Sequence, residues 1–227
     1  PNILQINSGD SFEKKGEKLI LNGYARDNYQ RNRLADGIVE AADNDVIIVS
    51  DLDEIPNLEN LNFNTIKNKI IQFKQKMFYY KLNLCYPNLD WFGSKACKKK
   101  NLLSPQWLRN VKSKRYSKLR LDLIFNKKKY NDIFYVLNGG WHFSCIRTPE
   151  ELEYKLSNFA HHYEYESSGL KIEDLKKLIV EKRVMYDHNV DQRGNKWSSK
   201  NKLSKIVISE LPDYINLNAD KYKEWLD

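Results

Sequence analysis

The sequence predicts an α/β fold, a mixed central sheet flanked by helices, and three observations carry that prediction. Val46-Ile47-Ile48-Val49 is a continuous apolar, β-branched run, the pattern of a strand buried on both faces of a mainly parallel sheet. Two stretches, 27–42 and 172–185, repeat apolar residues at helical spacing. Thr148-Pro149-Glu150-Glu151 opens another helix: Thr148 is a natural N-cap, Pro149 fits the first turn, and Glu151 stands where a capping box needs it.

Taken in order, Ile3, Leu4 and Ile6 suggest a short edge strand, and Lys18-Leu19-Ile20-Leu21 a second one ended by Asn22-Gly23. Leu34, Ile38, Val39 and Ala42 then mark a helix with Arg26, Arg31 and Arg33 near its start. After the strand at 46–49, residues 58–71 suggest a helix or loop-helix, and 76–84 and 118–125 suggest strands. Tyr135-Val136-Leu137 reads as a short strand entering Asn138-Gly139-Gly140-Trp141-His142. The helix from Thr148 runs towards Tyr163, and Leu211-Pro212-Asp213-Tyr214-Ile215 suggests a surface wrap. No repeat or low-complexity linker divides the chain, so one domain is expected over 1–227.

A chain of 227 residues is long enough to bury a core, and 41% hydrophobic with 30% charged residues describes a folded rather than a disordered protein. Neither an apolar run of membrane-spanning length nor a signal peptide is visible, so a cytosolic chain is expected unless an anchor lies outside it. Cys85, Cys97 and Cys145, odd in number and without CxxC spacing, point to free thiols rather than a disulfide framework or a zinc site. The net charge of +8 concentrates in Lys98-Lys99-Lys100, Lys112-Ser113-Lys114-Arg115 and Lys127-Lys128-Lys129. Such runs bind polyanions or form solvated surface.

The strand at 46–49 stops at Ser50-Asp51-Leu52-Asp53-Glu54-Ile55-Pro56. In open α/β sheets ligands bind beyond the carboxyl ends of strands. Asp51, Asp53 and Glu54 repel one another there, and a hard divalent cation, Mg²⁺ or Mn²⁺, relieves that repulsion through oxygen ligands. The same cation can bridge to phosphate oxygens and offset charge on a leaving diphosphate. The glycines of Gly139-Gly140-Trp141-His142 permit a close backbone approach, Trp141 suits a sugar ring, and His142 suits a metal or a phosphate. His161 and His162 point about 100° apart on a helix, so at most one enters a given site. Arg31 suits bidentate phosphate binding, with a helix-surface arginine as the plain alternative.

In this order the motifs resemble glycosyltransferase family 17, the family of β-1,4-mannosyl-glycoprotein 4-β-N-acetylglucosaminyltransferase. The residues that carry the resemblance are Gln30-Arg31-Asn32, Asp51-Leu52-Asp53-Glu54-Ile55-Pro56, Trp91-Phe92-Gly93-Ser94-Lys95-Ala96, Gly140-Trp141-His142-Phe143-Ser144 and Lys155 with Phe159-Ala160-His161. The resemblance implies a GT-A-like nucleotide-diphospho-sugar transferase fold, UDP-GlcNAc as donor, an inverting reaction and a mannose-containing glycan or glycoprotein as acceptor. It makes Asp51 and Asp53 the metal and diphosphate site, with His142 or His161 as a further ligand. Family members carry a strand and helix before the point matching Pro1, so the chain is expected to be N-terminally short and to lack the usual first strand. A cytoplasmic enzyme of bacterial or viral type is implied, with a Golgi lumen location only if an anchor lies outside the sequence.

An inverting transferase also needs a carboxylate to take the acceptor proton. Glu54, beside the metal pair, is the first candidate, and Glu150, Glu151 and Glu153 are its rivals. Trp91 and Trp141 either shape the sugar sites or pack the core. A metal-dependent phosphohydrolase can use the same acids, but the Thr or Ser that follows a haloacid-dehalogenase Asp-x-Asp is replaced by Glu54-Ile55-Pro56. The basic charge also admits a nucleic-acid-binding module, and the short N-terminus an inactive transferase-like domain. Zinc-finger, RRM and helix-turn-helix signatures are all missing, so nucleic acid is not an expected partner.

Overall fold

The computed structural model describes residues 1–114, 116–117, 120–123, 126–158, 162–188, 197 and 201–227. Among them the chain forms an α/β fold with helices around two mixed sheets. The first helix, α1 (Phe12–Arg33), replaces the strand expected at 18–21 and begins well before the helix expected from 27. Ser11 caps it by accepting from the Lys14 amide. Asn22-Gly23 does not break it, because the Asn22 amide finds partners outside the helix. The Leu4 amide donates to Asn22 Oδ1 at 2.7 Å, and Asn22 Nδ2 donates to the Leu4 carbonyl at 2.8 Å. Ile3, Leu4 and Ile6 lie in that tethered, non-strand segment. Arg31 and Arg33 therefore sit in the last turn of α1, where positive charge suits the helix dipole.

The first sheet holds β1 (Val46–Val49), β6 (Lys95–Lys98), β3 (Ile70–Phe73) and β7 (Ile133–Val136), in that spatial order. The second holds β2 (Glu54–Pro56), β8 (Gly140–Ser144), β4 (Gln75–Tyr79), β5 (Leu84–Trp91) and β9 (Ser204–Lys205). The β3–β7 and β4–β8 pairs are parallel and the others antiparallel. Lys74 alone separates β3 from β4, and 137–139 separate β7 from β8. At that crossing the Lys74 amide donates to the Val136 carbonyl at 3.0 Å and the Gly139 amide to the Lys74 carbonyl at 2.8 Å. A Cβ on Gly139 would lie 2.5 Å from the Lys74 nitrogen, so the crossing requires glycine. The single central sheet expected from sequence is thus two sheets, bent where one parallel pair passes from the first to the second.

β1 also differs from expectation. It is an edge strand, antiparallel to β6, and only Val49 of its four residues is fully buried. Residues 58–69 form turns rather than a helix, and the apolar Ile70-Ile71 of that stretch belongs to β3. Leu121–Leu123 is a 3-10 turn where a strand was expected, and part of 118–125 lies outside the described residues.

α2 (Pro105–Asn110) follows Ser104, whose side chain accepts from the Trp107 amide. α3 (Pro149–Asn158) opens with the expected reciprocal cap: the Thr148 amide donates to Glu151 Oε2, and the Glu151 amide to Thr148 Oγ1. α4 (His162–Ser168) is a separate helix, and α5 (Ile172–Val180) ends five residues earlier than the periodicity suggested. Leu152, Leu156 and Leu175 from these helices pack with Met77, Tyr79 and Tyr86 of the second sheet and with Tyr80 just after β4. Full burial stabilises by about 1.5–3 kcal/mol for each such leucine. The tail is no surface wrap: Leu211 and Ile215, the latter in α6 (Asp213–Leu217), are buried against Phe78 and Cys85. All three cysteines are free and buried. Among the described residues no helix is long and apolar enough to cross a membrane.

Candidate functional site

The chain leaves the first sheet after Val49 and enters the second at Glu54. The turn between is closed by the Glu54 amide donating to the Asp51 carbonyl at 3.0 Å. β2 then pairs with β8 so that Glu54 stands opposite His142. This change of sheet gathers the acids at the junction.

Glu54 forms the floor of the site. Its side chain has 0% exposure and faces Arg109 of α2. Arg109 donates through one amino group to Glu54 Oε2 at 2.7 Å, and through the other to Glu54 Oε1 at 3.1 Å and Asp51 Oδ2 at 2.6 Å. It also donates to the Gly93 carbonyl. The Trp91 indole donates to Glu54 Oε1 at 2.8 Å, and the Asp51 amide to Glu54 Oε2 at 3.0 Å. A Cβ on Gly93 would stand 1.9 Å from Glu54 Oε1, which explains the glycine in the Trp91-Phe92-Gly93-Ser94-Lys95-Ala96 motif. Beneath, Ser94 bonds Ser50 and Gln75, while Lys95 donates to the Arg109 carbonyl at 2.7 Å and the Val111 carbonyl at 2.5 Å. Burial, then the charge of Arg109, lowers the Lys95 pKa to about 7.

The rim is more open. Arg31 donates to Asp51 Oδ1 at 3.2 Å and to Gln106 Oε1 at 2.7 Å. Asp53, with its side chain 40% exposed, lies 3.5 Å from His142 Nε2. Burial raises the Asp53 carboxyl, but the His142 hydrogen bond and the charges of His142 and Lys155 outweigh it and hold the group below its ordinary value. His142 is buried, stacks on Trp91 with ring centres 4.8 Å apart, and keeps Nδ1 without a hydrogen-bond partner among the described residues. Residues Asp27, Gln30 and Arg31 of α1 face Ser50, Asp51 and Leu52 across a cleft of about 290 Å³.

The structure therefore brings Arg31, Asp51, Asp53, Glu54 and His142 together but gives them different surroundings. Glu54 does not suit the general-base role expected of it. Both of its oxygens accept hydrogen bonds inside the protein, so it anchors Arg109, Trp91 and the turn. Asp51 has both oxygens on guanidinium groups, so the repulsion expected to require a cation is relieved there by Arg31 and Arg109. Asp53 and His142 fit a divalent cation better. They offer one oxygen and one nitrogen donor 3.5 Å apart, a spacing that two ligands each about 2.0–2.2 Å from one ion can adopt. Trp141 does not join the site. Neighbours on a strand face opposite ways, so while His142 faces the acids, Trp141 packs with Phe143 near Leu211 and donates to the Glu210 carbonyl at 2.7 Å. His161 lies outside the described residues.

Arg109 is the residue that sequence reasoning missed. It lies 55 residues from Glu54 in a short helix with no motif of its own. The one signal for it was charge: three clustered acids call for more cation than Arg31 supplies. No protein-family model matches the chain, and no curated protein or solved structure matches it.

Proposed function

We propose that this chain is a metal-dependent, inverting glycosyltransferase of GT-A-like fold, acting in the cytoplasm. It takes a nucleotide-diphosphate sugar, UDP-GlcNAc first among the candidates, and passes the sugar to a glycan acceptor. The observation that carries the proposal is the acid turn at the sheet junction, flanked by Arg31 and Arg109 and open to the cleft beside α1. The order of motifs that resembles glycosyltransferase family 17 supports the same reading.

The reaction is one in-line displacement. An acceptor hydroxyl oxygen bonds to the anomeric carbon, the bond from that carbon to the diphosphate breaks, and UDP departs with the electron pair. The hydroxyl proton passes to a carboxylate that reaches solvent and has a free oxygen, which excludes Glu54 by its burial and Asp51 by its two guanidinium partners. Arg31 donates to a diphosphate oxygen from the side of α1. Arg109 and Trp91, locked on Glu54, keep the turn from moving as charge shifts across it. Asp27 and Asp51 outnumber Arg31 in the cleft, so a diphosphate is admitted there only with added positive charge. Asp53 and His142 would hold Mn²⁺ or Mg²⁺, and such a cation supplies that charge when bound.

The test is a screen of UDP-GlcNAc, UDP-galactose, UDP-glucose and GDP-mannose with Mn²⁺, read by nucleotide release and by thermal shift. UDP-GlcNAc should raise the melting temperature and release UDP, EDTA should stop turnover, and Asp53→Ala should lower turnover at least about 100-fold. A wild-type chain that neither binds nor turns over any of the four donors overturns the proposal.

A further inference from the structure

We propose that a second cleft, on the far side of Arg109, is the acceptor subsite and takes an uncharged pyranose unit of a glycan. The proposal rests on the transferase reading for the word acceptor, and on the cleft itself for the sugar. Asp90, Trp91, Phe92, Gly93, Arg109 and Ser113 line a concavity of about 320 Å³, at the small end of ligand-pocket sizes. It adjoins the first cleft. Asp51 lines one and Arg109 the other, and the 2.6 Å ion pair between them is their common wall. A transferase must hold two substrates against one reacting centre, and two clefts sharing a single salt-bridged wall meet that need.

The lining chooses the ligand. Arg109 spends its charge on Asp51 and Glu54, and Asp90 is paired with Lys74 at 2.9 Å. The cleft thus presents hydrogen-bonding groups with little net charge, which favours a neutral polyol over a nucleotide or a phosphate. Trp91 and Phe92 offer aromatic surface for the C–H face of a sugar ring, while the Asp90 carboxylate and the Ser113 hydroxyl suit ring hydroxyls. Trp91 links the cleft to the reacting groups, since its N–H is on Glu54 and its ring is stacked on His142, the neighbour of Asp53.

The experiment is saturation-transfer NMR on the whole chain with mannotriose and, separately, chitotriose, in the absence of nucleotide. Wild type should transfer saturation to the C–H protons of one of them. Ser113→Trp, an exposed change that fills the cleft, should remove the signal, and Phe92→Ala should reduce it at least threefold, both with the melting temperature kept. No signal from wild type at millimolar sugar, or a signal that survives Ser113→Trp, overturns the proposal. Titration of wild type with UDP and Mn²⁺ runs in parallel. Sugar binding lost on cleft filling, from a chain that does not bind UDP, upholds the sugar cleft and removes the transferase reading. UDP binding without sugar binding does the reverse.

Discussion

Asp53 and Glu54 are sequence neighbours of equal charge, yet the two sides of the turn treat them as different materials. Around Glu54 the protein supplies a guanidinium, an indole N–H and a backbone amide, and excludes water. Around Asp53 it supplies one imidazole at 3.5 Å and leaves 40% of the side chain open. A buried carboxylate is tolerable only when its partners are fixed, so Glu54 serves as structure. An open carboxylate remains free to meet a ligand, so Asp53 is the acid of the turn best placed for chemistry.

Four substitutions sharpen or break that contrast, the strongest first. Arg109→Met should leave Glu54 buried without its counter-charge and cost about 3–5 kcal/mol, read by urea unfolding. In a chain of this size that lowers the melting temperature by roughly 10 °C, and an unchanged midpoint would mean Glu54 is not held as described.

Lys95→Met tests the layer beneath the floor through pH. The folded-state pKa of about 7 lies below the 10.5 of a free lysine. Between those values the unfolded chain binds a proton that the folded chain does not, so wild-type stability should rise with pH across the window. The gain relative to Lys95→Met is at most about 1.4 kcal/mol per pH unit, and a difference that stays flat from pH 7 to 10 would show Lys95 charged in place. Gly93→Ala should cost about 1–3 kcal/mol, because its methyl group must displace the Glu54 carboxylate or the Trp91 indole. Asp53→Asn should change stability by less than about 1 kcal/mol while donor turnover collapses. A large stability loss in that variant would place Asp53 with Glu54 and erase the contrast.

Features whose causes are local are legible in the sequence. Thr148 and Glu151 form their reciprocal cap because only four residues are involved. Features with long-range causes are not. The pairing of Arg31 with Asp51 was not part of the sequence expectation, which gave Arg31 to a phosphate. Asn22-Gly23 has the composition of a turn, but Leu4 supplies partners to the Asn22 side chain inside a helix. Val46-Ile47-Ile48-Val49 looked like a central strand, since apolar periodicity reports burial but not which neighbours provide it. The side-by-side placement of Trp141 and His142 in the expected site failed because a strand, rather than a turn, carries them.

By itself the sequence determined that an apolar strand ends in a cluster of acids and that a capped helix follows Thr148. Only the tertiary structure decided which acid is structural and which is open. That choice depends on Arg109, Trp91 and His142, which reach the turn from 37 to 88 positions further along the chain through α2, β5 and β8. Side-chain charge and pattern are written locally, whereas burial and counter-charge exist only after distant segments meet.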